Sequence, residues 1–227
     1  MMCAAPAGPE DRPMSPDFTR KATLTGDLVT LRPARRSDAA VLHSYLGDRE
    51  VSRLTGASRT SSGPGQPGWT VEQLEEIYDR WSTADDRIVW VIIDNSTGNV
   101  AGESVLNDLD PHSRWCNFRI WISGARDRGL GTEATRLTLR HAFEEQGLNR
   151  VELQVYDFNP RARHVYEKVG FVLEGTKRQV LLFDGAWVDA HDMAILAGEW
   201  NQHHGHPASG TPGQSPGQVR GETPRGS

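Results

Sequence analysis

The sequence predicts one α+β domain: a mixed, mostly antiparallel sheet flanked by helices. Three observations predict it. Between Ile88 and Ile122, three strand-like stretches follow one another across short turns, the pattern of an antiparallel meander. Two helical stretches, opening at Leu130 and Pro160, then enclose a further strand. Asp184-Gly185 finally joins two apolar stretches as a hairpin turn.

The chain has 227 residues, which suits one domain of roughly 170–180 residues with loose ends. The expected division is a disordered leader over 1–22, a domain over 23–200 and a disordered tail over 201–227. The leader is Ala, Pro, Gly and charge without periodicity, and the tail is His, Gly, Pro, Ser and Thr. The histidines at 203, 204 and 206 are either a stray metal site or a flexible polar tail. A net charge of −5 supplies no basic field for nucleic acid or an anionic membrane. No stretch approaches the length of a membrane helix. The cysteines, Cys3 and Cys116, have neither disulfide-framework nor metal-ligand spacing, which fits a reducing cytoplasmic setting.

The elements follow in order. Leu28 to Arg32 alternates as a strand, and Pro33 ends it. Ser37 is an expected N-cap for a helix carrying Ala40, Val41, Tyr45 and Leu46, with a second short helix over 51–56. Residues 56–68 break the pattern with Ser-Ser-Gly-Pro-Gly-Gln-Pro-Gly, either an inert surface loop or a mobile lid. Thr70 caps a helix over 71–81 with Leu74, Ile77, Tyr78 and Trp81 on one face. Ile88 to Ile93 is a β-branched run that suits a strand buried on both faces. Strands over 100–109 and 115–122 complete the meander. A helix runs from Leu130 to Gln146, its narrow polar stripe showing that it is mostly covered, and Gly147 ends it. Residues 150–156 alternate as a strand. Asn159-Pro160 then starts a helix that ends at Gly170. Strand pieces at 171–173 and 180–183 precede the hairpin arm 187–196.

The stretch between the third meander strand and the next helix carries the chemistry. Gly129 and Gly131 permit a tight turn and a close approach of ligand to main chain. The helix that follows offers unpaired N–H groups and the positive end of its dipole, and Arg126 and Arg128 add two cations. This reads as a cradle for a diphosphate. The plain alternative is a strand-to-helix turn.

Three motifs follow in order: Arg126-x-x-Gly129-x-Gly131-Thr132-Glu133-Ala134, then Asn159-Pro160-Arg161-Ala162 with Tyr166-Glu167-Lys168-Val169-Gly170-Phe171, then Glu174-Gly175-x-x-Arg178 with Asp184-Gly185 and Asp189. Together they resemble the GNAT superfamily of acyl-CoA-dependent N-acyltransferases over about residues 27–197, and its RimJ/RimL-like branch in particular. The resemblance implies the GNAT fold, with strands splayed at the acyl-CoA site, and acetyl-CoA as co-substrate with no metal.

By similarity, the cofactor diphosphate lies on the main chain of Arg126, Asp127, Arg128, Gly129, Leu130, Gly131 and Thr132. The pantetheine arm runs along Ile120, Trp121 and Ile122. Asn159, Ala162 and Tyr166 complete the cofactor contacts. A primary amine attacks the thioester directly, and a backbone N–H near Trp121 or Ile122 meets the oxyanion. Tyr166 matches the acid that protonates the leaving thiolate, or else packs as a core tyrosine. Many members of the branch place a glutamate where Asn117 stands here, and asparagine cannot act as a base. Glu103 is the best remaining carboxylate, as base or amine anchor, its alternative being an exposed strand position paired with a cation. Asp108 and His112 are lesser candidates. The acceptor is a small-molecule amine or a protein N-terminus or lysine, and a non-catalytic acyl-CoA sensor or scaffold is the alternative. Family members commonly pair, so a homodimer is allowed.

Overall fold

The computed structural model describes residues 15–61, 68–124 and 128–204. Eight strands form one sheet in the order β1-β2-β3-β4-β5-β6-β8-β7. β1 (Leu24–Thr25), β2 (Val29–Pro33), β3 (Ile88–Asp94), β4 (Val100–Asp110) and β5 (Trp115–Ile122) are antiparallel neighbours. β6 (Arg150–Tyr156) lies parallel to β5, while β7 (Val172–Phe183) and β8 (Ala186–Leu196) form the closing hairpin.

Helices cover the sheet on both faces. Alternation along β3 shows why its apolar run is continuous. Ile88, Trp90 and Ile92 enter one core with Phe118, Leu139, Val151 and Leu153. Val89 and Val91 enter the other, with Ala39, Leu42, Leu74 and Tyr78. The first core is closed by α4 (Leu130–Arg140), α5 (Pro160–Val169) and α6 (Ala197–His204), and the second by α1 (Ala39–Leu46) and α3 (Val71–Ser82). α2 (Arg49–Leu54) starts at Asp48, whose carboxylate accepts the N–H groups of Glu50 and Val51. Thr70 caps α3 with a reciprocal bond from Gln73, as its sequence position suggests.

The structure corrects several boundaries. Residues 15–22 are no leader. Phe18 is 1% exposed in the first core, and Lys21 Nζ donates to the carbonyls of Phe18, Ala84 and Arg87 at 3.0, 2.8 and 2.7 Å. Trp90 Nε1 donates to Ala22 O at 2.8 Å. At the other end α6 continues to His204, whose ring lies 3.8 Å from that of Trp200. Residues 1–14 and 205–227 lie outside the described residues, as do 62–67 of the interrupted loop.

The two strand pieces after α5 are one strand, β7. Irregularities beside Gly175 and between Lys177 and Leu181 absorb its non-strand sequence, and Gln179 sits at φ 55° with its N–H on Asp189 Oδ1 at 2.8 Å. The long helix expected to Gln146 is α4 only to Arg140, then a π-turn over His141–Glu145. Gly102 on β4 is required by a close approach, since a Cβ there would lie 2.1 Å from the Trp121 carbonyl oxygen.

Candidate active site

The site begins where two strands part. β5 and β6 pair only from Trp115 to Asn117 against Arg150 to Glu152. Beyond Asn117, β5 continues beside β4 alone. Ser123 N–H donates to Ala101 O at 2.8 Å, continuing the β4–β5 ladder. Antiparallel pairing alternates the direction of successive peptide groups. Ile120 and Ile122 therefore point theirs away from β4, into the gap.

α4 starts at the same gap. Its N-cap is Gly129 at φ 81°, with no side-chain cap bond. The first intrahelical bond in this turn is Glu133 N–H to Gly129 O, so the N–H groups of Leu130, Gly131 and Thr132 have no partner within the helix. Together they face a cavity of about 380 Å3 lined by Ile120, Trp121, Ile122, Arg128, Gly129, Leu130, Gly131 and Thr132. Asn159, Ala162 and Tyr166 of the α5 region line its other wall. Arg126 and Asp127 lie outside the described residues.

α5 is set by its own cap. Asn159 Oδ1 accepts the Ala162 N–H at 3.1 Å, with Pro160 in the first helical turn. The Asn159 amide N–H2 keeps its donors uncommitted among the described residues. Tyr166 is 8% exposed. Its ring meets the edges of Phe118 and Phe171, with centroids 6.4 and 5.7 Å away. Burial pushes its phenol well above the ordinary range.

Glu103 is placed differently. Its partner across the ladder is Trp121, and its carboxylate accepts the Tyr78 hydroxyl at 2.6 Å. Tyr78 and Trp121 belong to the core under α1 and α3, whereas Tyr166 belongs to the core under α4 and α5. Glu103 therefore stands on the sheet face opposite Tyr166 and is not a wall of the cavity. Burial raises its pKa above the usual carboxylate value, against the lowering effect of Tyr78, Trp121 and Arg119.

Arg128 lines the cavity, but its guanidinium is committed. It contacts Asp94 at 2.5 and 3.2 Å and Ser96 Oγ at 2.7 Å. Asn117 donates to Asn107 Oδ1 at 2.9 Å on the last paired rung. Asp108 occupies the β4 irregularity at φ 57° and accepts from Asn107, and His112 sits in the following turn with its N–H on Asp110. Neither lines the cavity. Of the tryptophans, only Trp121 is a cavity wall among the described residues. No cluster of three or more His, Cys, Asp or Glu that could hold a metal occurs among them either.

The family described as acetyltransferase (GNAT) domain matches residues 29–172. The chain belongs to the GNAT acetyltransferases. An uncharacterized N-acetyltransferase, the SPbeta prophage-derived YokL of Bacillus subtilis (strain 168), is 25% identical over 80% of this chain and 97% of its own length. The spermidine N(1)-acetyltransferase of Escherichia coli (strain K12) is 27% identical over 82% of this chain and 93% of its own. The crystal structure of spermidine N-acetyltransferase from Vibrio cholerae in complex with CoA and spermine superposes with a TM-score of 0.68 at 24% identity. It covers 77% of this chain and 99% of that one, a likeness of fold. The chain is an N-acetyltransferase.

This acetyltransferase also lines its cavity with residues that the sequence pattern left without a role. Asp48, Glu50, Val51 and Leu54 bring α2 over the gap, and Arg161 and His164 extend the α5 wall. The α2 segment reads from sequence only as a short helix. What gives it a role is its packing across the sheet, which local periodicity does not carry. No described helix is long and apolar enough to cross a membrane.

Proposed function

We propose that this enzyme moves the acetyl group of acetyl-CoA to the primary amine of a small cationic acceptor by direct attack. The observation that carries the reading is the cavity itself. A gap with free Ile120 and Ile122 peptide groups opens beside a helix N-terminus that no side chain caps. That pairing suits an amide-bearing arm ending in a diphosphate. Acetyl-CoA supplies the activated thioester. In this reading Gly129, Leu130, Gly131 and Thr132 hold its diphosphate, joined by Arg126 and Asp127. The Ile120–Ile122 main chain pairs with the pantetheine, while the Asn159 amide and Ala162 contact its far side.

The amine nitrogen bonds to the acetyl carbon, the carbonyl oxygen becomes an oxyanion beside the Ile122 N–H, and the carbon–sulfur bond then breaks. The amine loses a proton and the thiolate gains one. Tyr166, under α5, supplies the thiolate's proton. Glu103 accepts the amine's through water from the α1–α3 face, and burial raises its pKa above the usual carboxylate value.

The names of the spermidine-acetylating relatives suggest a cationic acceptor, and Asp48 and Glu50 are acidic residues of the cavity wall. The three sequence motifs further suggest the RimJ/RimL-like branch. The free, buried thiol of Cys116 suits a reducing cytoplasm. The test is thiol release from acetyl-CoA against polyamines, aminoglycosides and peptides with free N-termini. Polyamine-dependent release supports the acceptor class. Release with peptides alone overturns it.

A further inference from the structure

The residue just ahead of the α4 cradle is a cation that does not face its ligand freely. Arg128 reaches across to the end of β3, where both its terminal nitrogens meet Asp94, at 2.5 and 3.2 Å, and one also meets Ser96 Oγ at 2.7 Å. Asp94 is the covered member of the pair, its side chain 6% exposed against 41% for Arg128. It is itself fixed, since Asp94 Oδ1 accepts both the N–H and the hydroxyl of Ser96, at 2.9 and 2.7 Å. The opposite flank of the cradle is gripped as well. Glu133, in the first turn of α4, accepts the N–H groups of Leu28 and Val29 at 2.7 Å each. Leu28 Cδ1 lies 3.3 Å from where a Cβ on Gly129 would stand.

We propose that Asp94 is a positioning residue for the cofactor site: it takes up the charge of Arg128 and fixes the entry to α4, so that main-chain N–H groups, not Arg128, meet the cofactor diphosphate. This rests on the acetyl-CoA reading above. An arginine free to swing would bind the diphosphate in many geometries, whereas one held at both nitrogens fixes the peptide that leads into Gly129.

The experiment titrates CoA calorimetrically into the wild type, Asp94→Asn, Arg128→Met and the double variant, with steady-state kinetics and melting temperature measured alongside. Asn keeps the oxygen that accepts the Ser96 N–H, so the turn survives. Each single change is expected to weaken CoA binding about tenfold, with no further loss in the double variant, because both remove one shared contact. KM for acetyl-CoA rises in parallel, and kcat at saturating acetyl-CoA stays within about twofold. The proposal is overturned if Asp94→Asn binds CoA as well as or better than wild type while Arg128→Met binds worse, since Arg128 then holds the diphosphate itself. Additive losses, or no loss in either single variant, also overturn it. A wild type that binds no CoA overturns the acetyl-CoA reading instead.

Discussion

Tyr166 and Glu103 stand on opposite faces of the sheet, one packed against Phe118 and Phe171, the other bonded to Tyr78. This separation gives the proposed reaction a direction. In the proposed reaction the thioester would lie in the gap between β5 and β6, the leaving sulfur on the α5 side and the incoming amine on the α1–α3 side. Each proton transfer then has its own group, and neither group has to serve both.

The Tyr166→Phe variant isolates one of these transfers. Phenylalanine keeps the ring contacts with Phe118 and Phe171 and removes only the hydroxyl. Steady-state kinetics should show kcat falling roughly 100-fold, with KM for acetyl-CoA little changed. An unchanged kcat removes Tyr166 as the acid.

Glu103→Gln tests the other transfer. A base works when deprotonated, so wild-type activity should fall as pH drops through the Glu103 pKa, which burial raises above the ordinary carboxylate value. The variant should lose that acid limb, run more slowly and need a higher pH, where the amine is deprotonated without help. The linkage to stability has the matching sign. A carboxyl whose pKa is higher in the folded state binds protons more tightly there, so its contribution falls as pH rises through that value. Melting curves should therefore show the variant losing less stability than wild type between acid and neutral pH. A pH–rate profile that matches wild type counts against Glu103 as the base.

Phe118→Ala examines how the site is supported. Phe118 is 2% exposed and touches both Tyr166 and Phe171. Truncation should cost ~3–5 kcal/mol in denaturant unfolding and loosen the Tyr166 ring. A loss under about 1 kcal/mol would show that the aromatic group is not the support of this wall.

Much of this was legible in the chain because the signals were local. The capping box at Thr70, the Asn159-Pro160 start and the Asp184-Gly185 turn each act within a few residues, and each stands where the sequence puts it. The turn into α4 was readable for the same reason, since Gly129 takes the left-handed conformation that glycine favours. What the sequence hid was set by distance in the chain. Arg128 looked like a free cation beside the diphosphate, and only the fold shows Asp94, 34 residues away, holding it. Glu103 stood between a candidate base and an exposed strand position until the register placed it across from Trp121, with Tyr78 reaching it from α3. Phe18 was lost in a stretch whose composition reads as disordered, yet one buried ring and the Lys21 bonds suffice to pin it.

In the proposed complex acetyl-CoA lies in the β5–β6 gap with its diphosphate on the start of α4. Calorimetric titration of CoA into the wild type and into Gly129→Val tests it most directly. Gly129 adopts φ 81°, where a β-branched residue is strained by ~1–3 kcal/mol, and a side chain there would crowd Leu28 and the approaching diphosphate. Saturable one-to-one binding by wild type and at least about a tenfold loss in the variant are expected. Undiminished affinity in a folded Gly129→Val variant would contradict it.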